Sequence, residues 1–252
     1  MNYDWWLYLA VIGAGIVAGF INTLAGSGSL LTLPLLMFMG LPANVANGTN
    51  RIGILFQSIV GSYAFKKQGV LDFRMGLIYG IPIVIGAIAG AIMALKIGDV
   101  AMEKAIAVLL IFMFFMILFK PEVWIKGQAG NIKKQNTLLN IVIFTVIGFY
   151  GGFVQAGVGL FLLAGLVLGV GADLVKANAL KVFLVLLYTP VALLLFMYEN
   201  QIDYKLGLIL AIGNSLGAYL GTRVAVSWGP KFIRIVLLLA ILGSSLKLLG
   251  AF

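Results

Sequence analysis

The chain has 252 residues, 62% of them hydrophobic and 10% charged, whereas soluble domains carry about a quarter charged residues. A water-soluble fold is excluded. The net charge of +9 does not point to nucleic acid, because Lys and Arg lie in short loops between apolar runs rather than along one basic face. Cysteine and histidine are absent, which removes thiol chemistry, haem, zinc and the residue most used for proton transfer near neutral pH, so no cofactor or metal is expected.

Apolar runs of eighteen or more residues recur from end to end, each long enough at about 1.5 Å per residue to cross a hydrocarbon core of about 30 Å. Their polar and Gly/Pro punctuation predicts helices over 5–24, 44–65, 74–96, 101–119, 138–155, 174–198, 204–226 and 231–250. The first run follows Met1 to Asp4 with no basic region and no A-x-A-like site, so it reads as a retained helix rather than a cleavable leader. Two shorter apolar pieces, 29–39 and 160–169, each follow a glycine-rich break. At about a dozen residues they are too short to span and read as half-helices. The stretch 120–137, with Lys120, Lys126, Lys133 and Lys134, is the long polar segment and links two halves, 1–119 and 138–252.

The halves are related. A shift of 131 residues aligns 25–98 with 156–229 without a gap, and twenty-one of seventy-four positions are identical, among them Gly26/Gly157, Gly28/Gly159, Gly40/Gly171, Asn47/Asn178, Asp72/Asp203, Gly86/Gly217 and Gly90/Gly221. The loop charges orient the repeats, since Lys and Arg in short loops mark the cytoplasmic side. Loop 66–74 holds Lys66, Lys67 and Arg74 against Asp72, whereas its equivalent, 197–205, holds Glu199 and Asp203 against Lys205. At the next turn 96–104 is neutral and 227–235 has Lys231 and Arg234 unopposed. Such sign reversal is the mark of inverted topology. The expected fold class is therefore an all-α polytopic membrane protein of two inverted repeats, each a glycine-broken hairpin plus three membrane-spanning helices. Basic loops placed in the cytoplasm of a cell whose inner or plasma membrane holds the chain put both termini on the non-cytoplasmic side. Trp5, Trp6, Tyr8, Trp124 and Trp228 stand at segment ends, as interfacial anchors do.

The breaks themselves are the first candidate site. Asn22, Gly26, Ser27, Gly28 and Ser29 interrupt the first half, and Gln155, Gly157 and Gly159 the second. Backbone freed at membrane depth must be buried in protein or line a wet cavity, and a half-helix starting there aims unpaired N–H groups and a positive dipole end at the centre, the arrangement that binds anions elsewhere. Glycines can equally serve close helix packing, and this is the reading for Gly86, Gly90, Gly217 and Gly221. The second candidate is Asn47, Asn50 and Arg51, matched by Asn178 and Lys181. Each cation lies roughly 10–12 Å into its helix at about 1.5 Å per residue, and a cation so deep costs at least about 2.5–3.5 kcal/mol without a partner or water. The eight acids all lie at segment ends or in loops. Two deep cations lacking carboxylate partners argue for an anionic substrate, although their long stems would also let them snorkel to the interface. Gln57, Ser58, Tyr188, Asn214 and Ser215 are polar residues whose facing the sequence leaves open.

The paired glycine breaks, Pro34-Leu35-Leu36 after the first of them, the Gly40-Leu41-Pro42 turn, the helix start Ala46-Asn47-Gly48-Thr49-Asn50 and the 4+4 repeat resemble the TauE/SafE sulfite exporter family over nearly the whole chain. The second half departs from the pattern, with Gly165 where the repeat puts Pro34 and a less glycine-rich run at 155–159. The resemblance implies a transporter of sulfur-containing oxyanions or organosulfonates, sulfite or sulfoacetate for example, mostly in the export direction. The residues alone lead to an anion carrier working by alternating access in a lipid bilayer, with a small anion as partner, no nucleic acid, and a homodimer left open. The alternatives are a cation- or proton-coupled carrier, which the lack of buried acids disfavours, and an intramembrane enzyme, which would lack a general base.

Overall fold

The computed structural model describes residues 4–119 and 137–248, and the described residues are helical with no strand among them. The linker residues 120–136, Trp124 included, lie outside the described residues. The first half folds as α1 (Trp5–Ala25), α2 (Ser29–Phe38), α3 (Ala43–Lys67), α4 (Phe73–Lys96) and α5 (Asp99–Phe119). The second folds as α6 (Thr137–Phe153), α7 (Val158–Ala164) with a π-helical turn at Gly165–Gly169, α8 (Leu174–Tyr198) and α9 (Tyr204–Leu248).

Up to residue 198 these bounds lie within two residues of those expected from the punctuation. The difference comes at the end: the segments expected as 204–226 and 231–250 form one helix, Tyr204–Leu248. Gly229-Pro230 is a weak break, because proline forfeits one backbone hydrogen bond while its φ near −65° already suits a helix. Forty-five residues at about 1.5 Å each extend about 67 Å, more than twice the hydrocarbon thickness. Tyr204–Trp228 is the part long and apolar enough to span, as are α1, α4 and α8.

Repeat-related positions share backbone geometry as well as sequence. The described residues with positive φ are Gly26 and Gly157, Gly40 and Gly171, and Gly69 and Asn200, three pairs each separated by 131. The last pair closes α3 and α8 in the same way: Val70 N–H donates to Phe65 C=O, and Gln201 N–H to Phe196 C=O, the six-to-one bond of a left-handed helix cap. The next helices also start alike, with Asp72 accepting from Met75 N–H and Asp203 from Leu206 N–H, each an N-cap that satisfies an orphan donor.

The halves are interleaved rather than side by side. α1 packs along α9, and α6 along α4, in both cases through glycines. A Cβ on Gly152 would fall on the backbone of Ala87, and one on Gly217 on the Ile16 carbonyl. Lipid tails are as apolar as any side chain, so close approach through small residues drives helix association here. On α4 the faces separate cleanly, with Gly86, Ala87 and Gly90 buried while Ile78, Ile81 and Ile85 are exposed and face lipid. The equivalent helices α3 and α8 run antiparallel, since Gly48 lies against Phe196 and Gln201 whereas Gly61 lies against Val182.

Gly152→Val, which would push α6 off α4, is expected to abolish a monodisperse gel-filtration peak in detergent. Gly13→Val, where an added Cβ meets nothing within 4 Å, is expected to leave that peak unchanged. Equal behaviour of the two variants would contradict the packing account.

Candidate functional site

α1 ends at Gly26, whose φ of 79° only glycine adopts without strain, and the chain then doubles back so that Gly28 lies against Ala18 and Asn22. α6 ends at Phe153, and Gly157, with φ 72°, starts α7. The two breaks meet: a Cβ on Gly26 would land on the Gly159 backbone, and one on Gly159 on Gly26. Neither position has room for a side chain.

A helix that ends buried in the protein leaves its last carbonyls short of intrahelical donors and with a partial negative charge. At both breaks a cation from the other half meets them. Arg51 of α3 donates from Nη1 to Gly151 C=O at 3.2 Å and from Nη2 to Gly152 C=O at 2.6 Å, and Asn47 Nδ2 donates to Phe153 C=O at 2.8 Å. Lys181 of α8 donates from Nζ to Asn22 C=O at 2.9 Å, to Thr23 C=O at 2.7 Å and to Asn178 Oδ1 at 2.8 Å. Asn47 and Arg51 thus close the end of α6, and Lys181, held by Asn178 Oδ1, closes the end of α1. The Arg51 guanidinium also lies 4.6 Å from the centroid of the Phe196 ring, a cation–π contact.

This changes the argument from missing counter-ions. Arg51 is 0% and Lys181 2% exposed, so neither snorkels, and both cations have partners made of helix ends instead of carboxylates. The compensation is incomplete: each helix C-terminus supplies about −0.5 of a charge against a full positive charge, and among the described residues no acid is buried.

Beside Lys181 lies a small polar cavity of about 10 Å³, room for roughly one water. Asn22, Ser29, Gln155, Gly159 and Lys181 line it together with Gln57 and Ser58. Polar atoms without protein partners gather there, namely Gln57 Oε1, Ser58 Oγ and Gln155 Oε1, and buried polar atoms are ordinarily partnered. Gln155 is held from the other side, Nε2 donating to Thr189 Oγ1 at 3.0 Å and to the Tyr188 hydroxyl at 3.3 Å. Of the thirteen residues singled out in the sequence, these five reach the cavity wall. Arg51, Asn47 and Asn178 instead act on the helix ends. Asn50 accepts from the Thr32 hydroxyl at 2.7 Å, Gly26 and Gly157 shape the breaks, and Ser27 and Gly28 are buried beside them.

Gln57 and Ser58 complete the wall, and the sequence left their direction open. A signal for them was present: Gln57 stands seven residues beyond Asn50 and Tyr188 seven beyond Lys181, two helical turns along the same face, and Gln57/Tyr188 and Ser58/Thr189 occupy equivalent positions of the repeat.

A family model described as Sulfite exporter TauE/SafE matches residues 11–248. The chain belongs to this family. Similar proteins bear it out: a probable membrane transporter protein, ORF9, of Sinorhizobium is 28% identical over 94% of this chain and 90% of its own length. A probable membrane transporter protein of Haemophilus influenzae is 28% identical over 87% of this chain and 86% of its own, and YfcA of Escherichia coli, so described too, is 28% identical over 93% and 86%. No solved structure matches. The chain is thus a multi-pass membrane protein of a transporter family.

Within that frame Arg51 is a scaffold residue. Arg51→Ala orphans the carbonyls of Gly151 and Gly152, at a cost of about 1–3 kcal/mol for each buried group left unpaired, and Asn47→Ala orphans that of Phe153. Thermal unfolding in detergent is expected to place Arg51→Ala lowest, Asn47→Ala next and Arg51→Lys above Arg51→Ala, because lysine keeps the charge but not the planar fork. An Arg51→Ala protein melting with the wild type would contradict the assignment.

Proposed function

We propose that this chain exports a small oxyanion, sulfite or an organosulfonate, across a bacterial inner membrane by alternating access of two inverted repeats. The observation that carries the reading is the Lys181 ammonium beside a small cavity into which Asn22, Ser29, Gln57, Ser58 and Gln155 converge at the Gly159 break. Lys181 supplies the charge, and Asn22, Ser29, Gln57, Ser58 and Gln155 supply hydrogen bonds to the anion's oxygens. The family description names sulfite, and the cavity, with room for about one water here, has to widen to admit it.

A carrier of this kind passes through a closed state in which substrate reaches neither side, and a central cavity of about 10 Å³ fits such a state. Opening requires the halves to separate on one side at a time. The antiparallel pair α3 and α8, each bearing one cation, offers related surfaces for the two openings. The basic loop 66–74 placed in the cytoplasm puts the start of α1 outside. An interior-negative potential then favours anion exit by about 2.3 kcal/mol per charge per 100 mV, and with no histidine in the chain and no buried acid among the described residues, no internal proton relay is in view.

In proteoliposomes loaded with sulfite, an imposed interior-negative potential is expected to accelerate efflux, and Lys181→Gln to slow it more than tenfold at unchanged protein content. Normal efflux through Lys181→Gln, or efflux that ignores the potential and follows an imposed pH gradient, would overturn the proposal.

A further inference from the structure

A second cavity, of about 540 Å³, lies between the C-terminal end of α3 and the middle of α9. Ile59, Val60 and Tyr63 form one wall, Tyr219 the other, and Lys67 and Arg223 stand at the same groove. α3 and α9 run parallel there, since Gly53 lies against Leu210 and Asn214 and Gly61 against Thr222.

Depth follows from the rise. Lys67 is the last residue of α3. Arg223 lies nineteen residues beyond Tyr204, where α9 starts, about 29 Å along the axis at about 1.5 Å per residue, close to the full thickness of the hydrocarbon core. Both cations therefore sit at one membrane interface, the one that also carries Lys66 and Arg74. The aromatic residues are in keeping with that depth, where tyrosines collect. Tyr63 is 68% exposed and Tyr219 41%, so the groove opens toward lipid. Arg223 is aimed by its own helix, its guanidinium 4.5 Å from the centroid of the Tyr219 ring. Among the described residues neither Lys67 nor Arg223 has an acidic partner, and no acid lines the groove.

We infer that this groove binds an anionic phospholipid, its phosphodiester between Lys67 and Arg223 and an acyl chain along Ile59, Val60 and Tyr63. The occupant follows from charge and depth together. Two unopposed cations at the headgroup level call for an anion, and the apolar wall running from them toward the membrane interior calls for a chain attached to it. A soluble anion would satisfy only the first requirement, and a zwitterionic lipid presents its own cation to Lys67 and Arg223.

Native mass spectrometry of the full-length detergent-purified protein, titrated with phosphatidylglycerol, with phosphatidylethanolamine and with inorganic phosphate, tests this. The wild type is expected to retain phosphatidylglycerol at least fivefold over phosphatidylethanolamine and to show no phosphate adduct. Lys67→Gln/Arg223→Gln is expected to lose that preference, whereas Lys205→Gln, at the opposite end of α9, keeps it. Melting curves in the same detergent check that each variant is folded. Because the chain has no cysteine, Tyr63→Cys provides a single thiol in the groove: a fluorophore attached to it is expected to be quenched by lipid-borne quenchers, and the unlabelled thiol is expected not to crosslink a second copy. Retention of phosphatidylglycerol by the folded double variant, equal retention of both lipids by the wild type, or efficient Tyr63→Cys crosslinking between copies would each overturn the inference.

Discussion

Carbonyls at the end of a helix inside a membrane have neither water nor a following turn to satisfy them, and leaving them bare costs several kcal/mol each. α1 and α6 both end buried in the protein, and each end is met by a cation from the opposite half: Lys181, held by Asn178, at α1, and Arg51, joined by Asn47, at α6. Much else follows from this exchange. The breaks can exist at depth because their ends are closed, they can touch because Gly26 and Gly159 carry no side chain, and the cations can be buried because helix C-termini attract them. The same contacts tie the first half to the second, so neither half completes its broken helix alone.

The two clasps are alike in plan and unlike in detail, and the difference bears on function. Arg51 spends its fork on two carbonyls and its face on Phe196, which suits a fixed joint. Lys181 is a compact ammonium with exchangeable partners on the wall of the polar cavity. An anion entering there can take over part of its hydrogen bonding without leaving a guanidinium stranded. Lys181 stands where the repeat puts Asn50, one residue before Arg51, so the two cations hold neighbouring rather than equivalent positions of the repeat.

Much of the fold was legible because membrane solvation makes it so. Helix ends are marked by glycine, proline and charge, and α8 begins and ends at the residues the punctuation gives. The 131-residue offset, read from identities such as Asn47/Asn178, recurs in the left-handed residues, including Asn200 opposite Gly69. The weak break at Gly229-Pro230 misled, since proline's φ is compatible with a continuing helix. At the site, sequence located both cations and both breaks but not their partners, because a backbone carbonyl looks the same at every residue and only folding decides which end meets which side chain. Gln57 and Ser58 escaped because α3 is buried on several sides, where no single polar stripe marks the face toward the cavity.

The central claim is that an anion sits at Lys181 where the breaks meet, with Arg51 supporting it from behind. Selenite, a close analogue of sulfite, carries an anomalous scatterer, and a crystal structure of the protein soaked in it would locate the anion directly. The account predicts one selenium peak within hydrogen-bonding reach of Lys181 Nζ and Gln155, with the Arg51 bonds to Gly151 and Gly152 intact. A peak on Arg51 with those bonds broken, or an empty central cavity at saturating selenite, would contradict it.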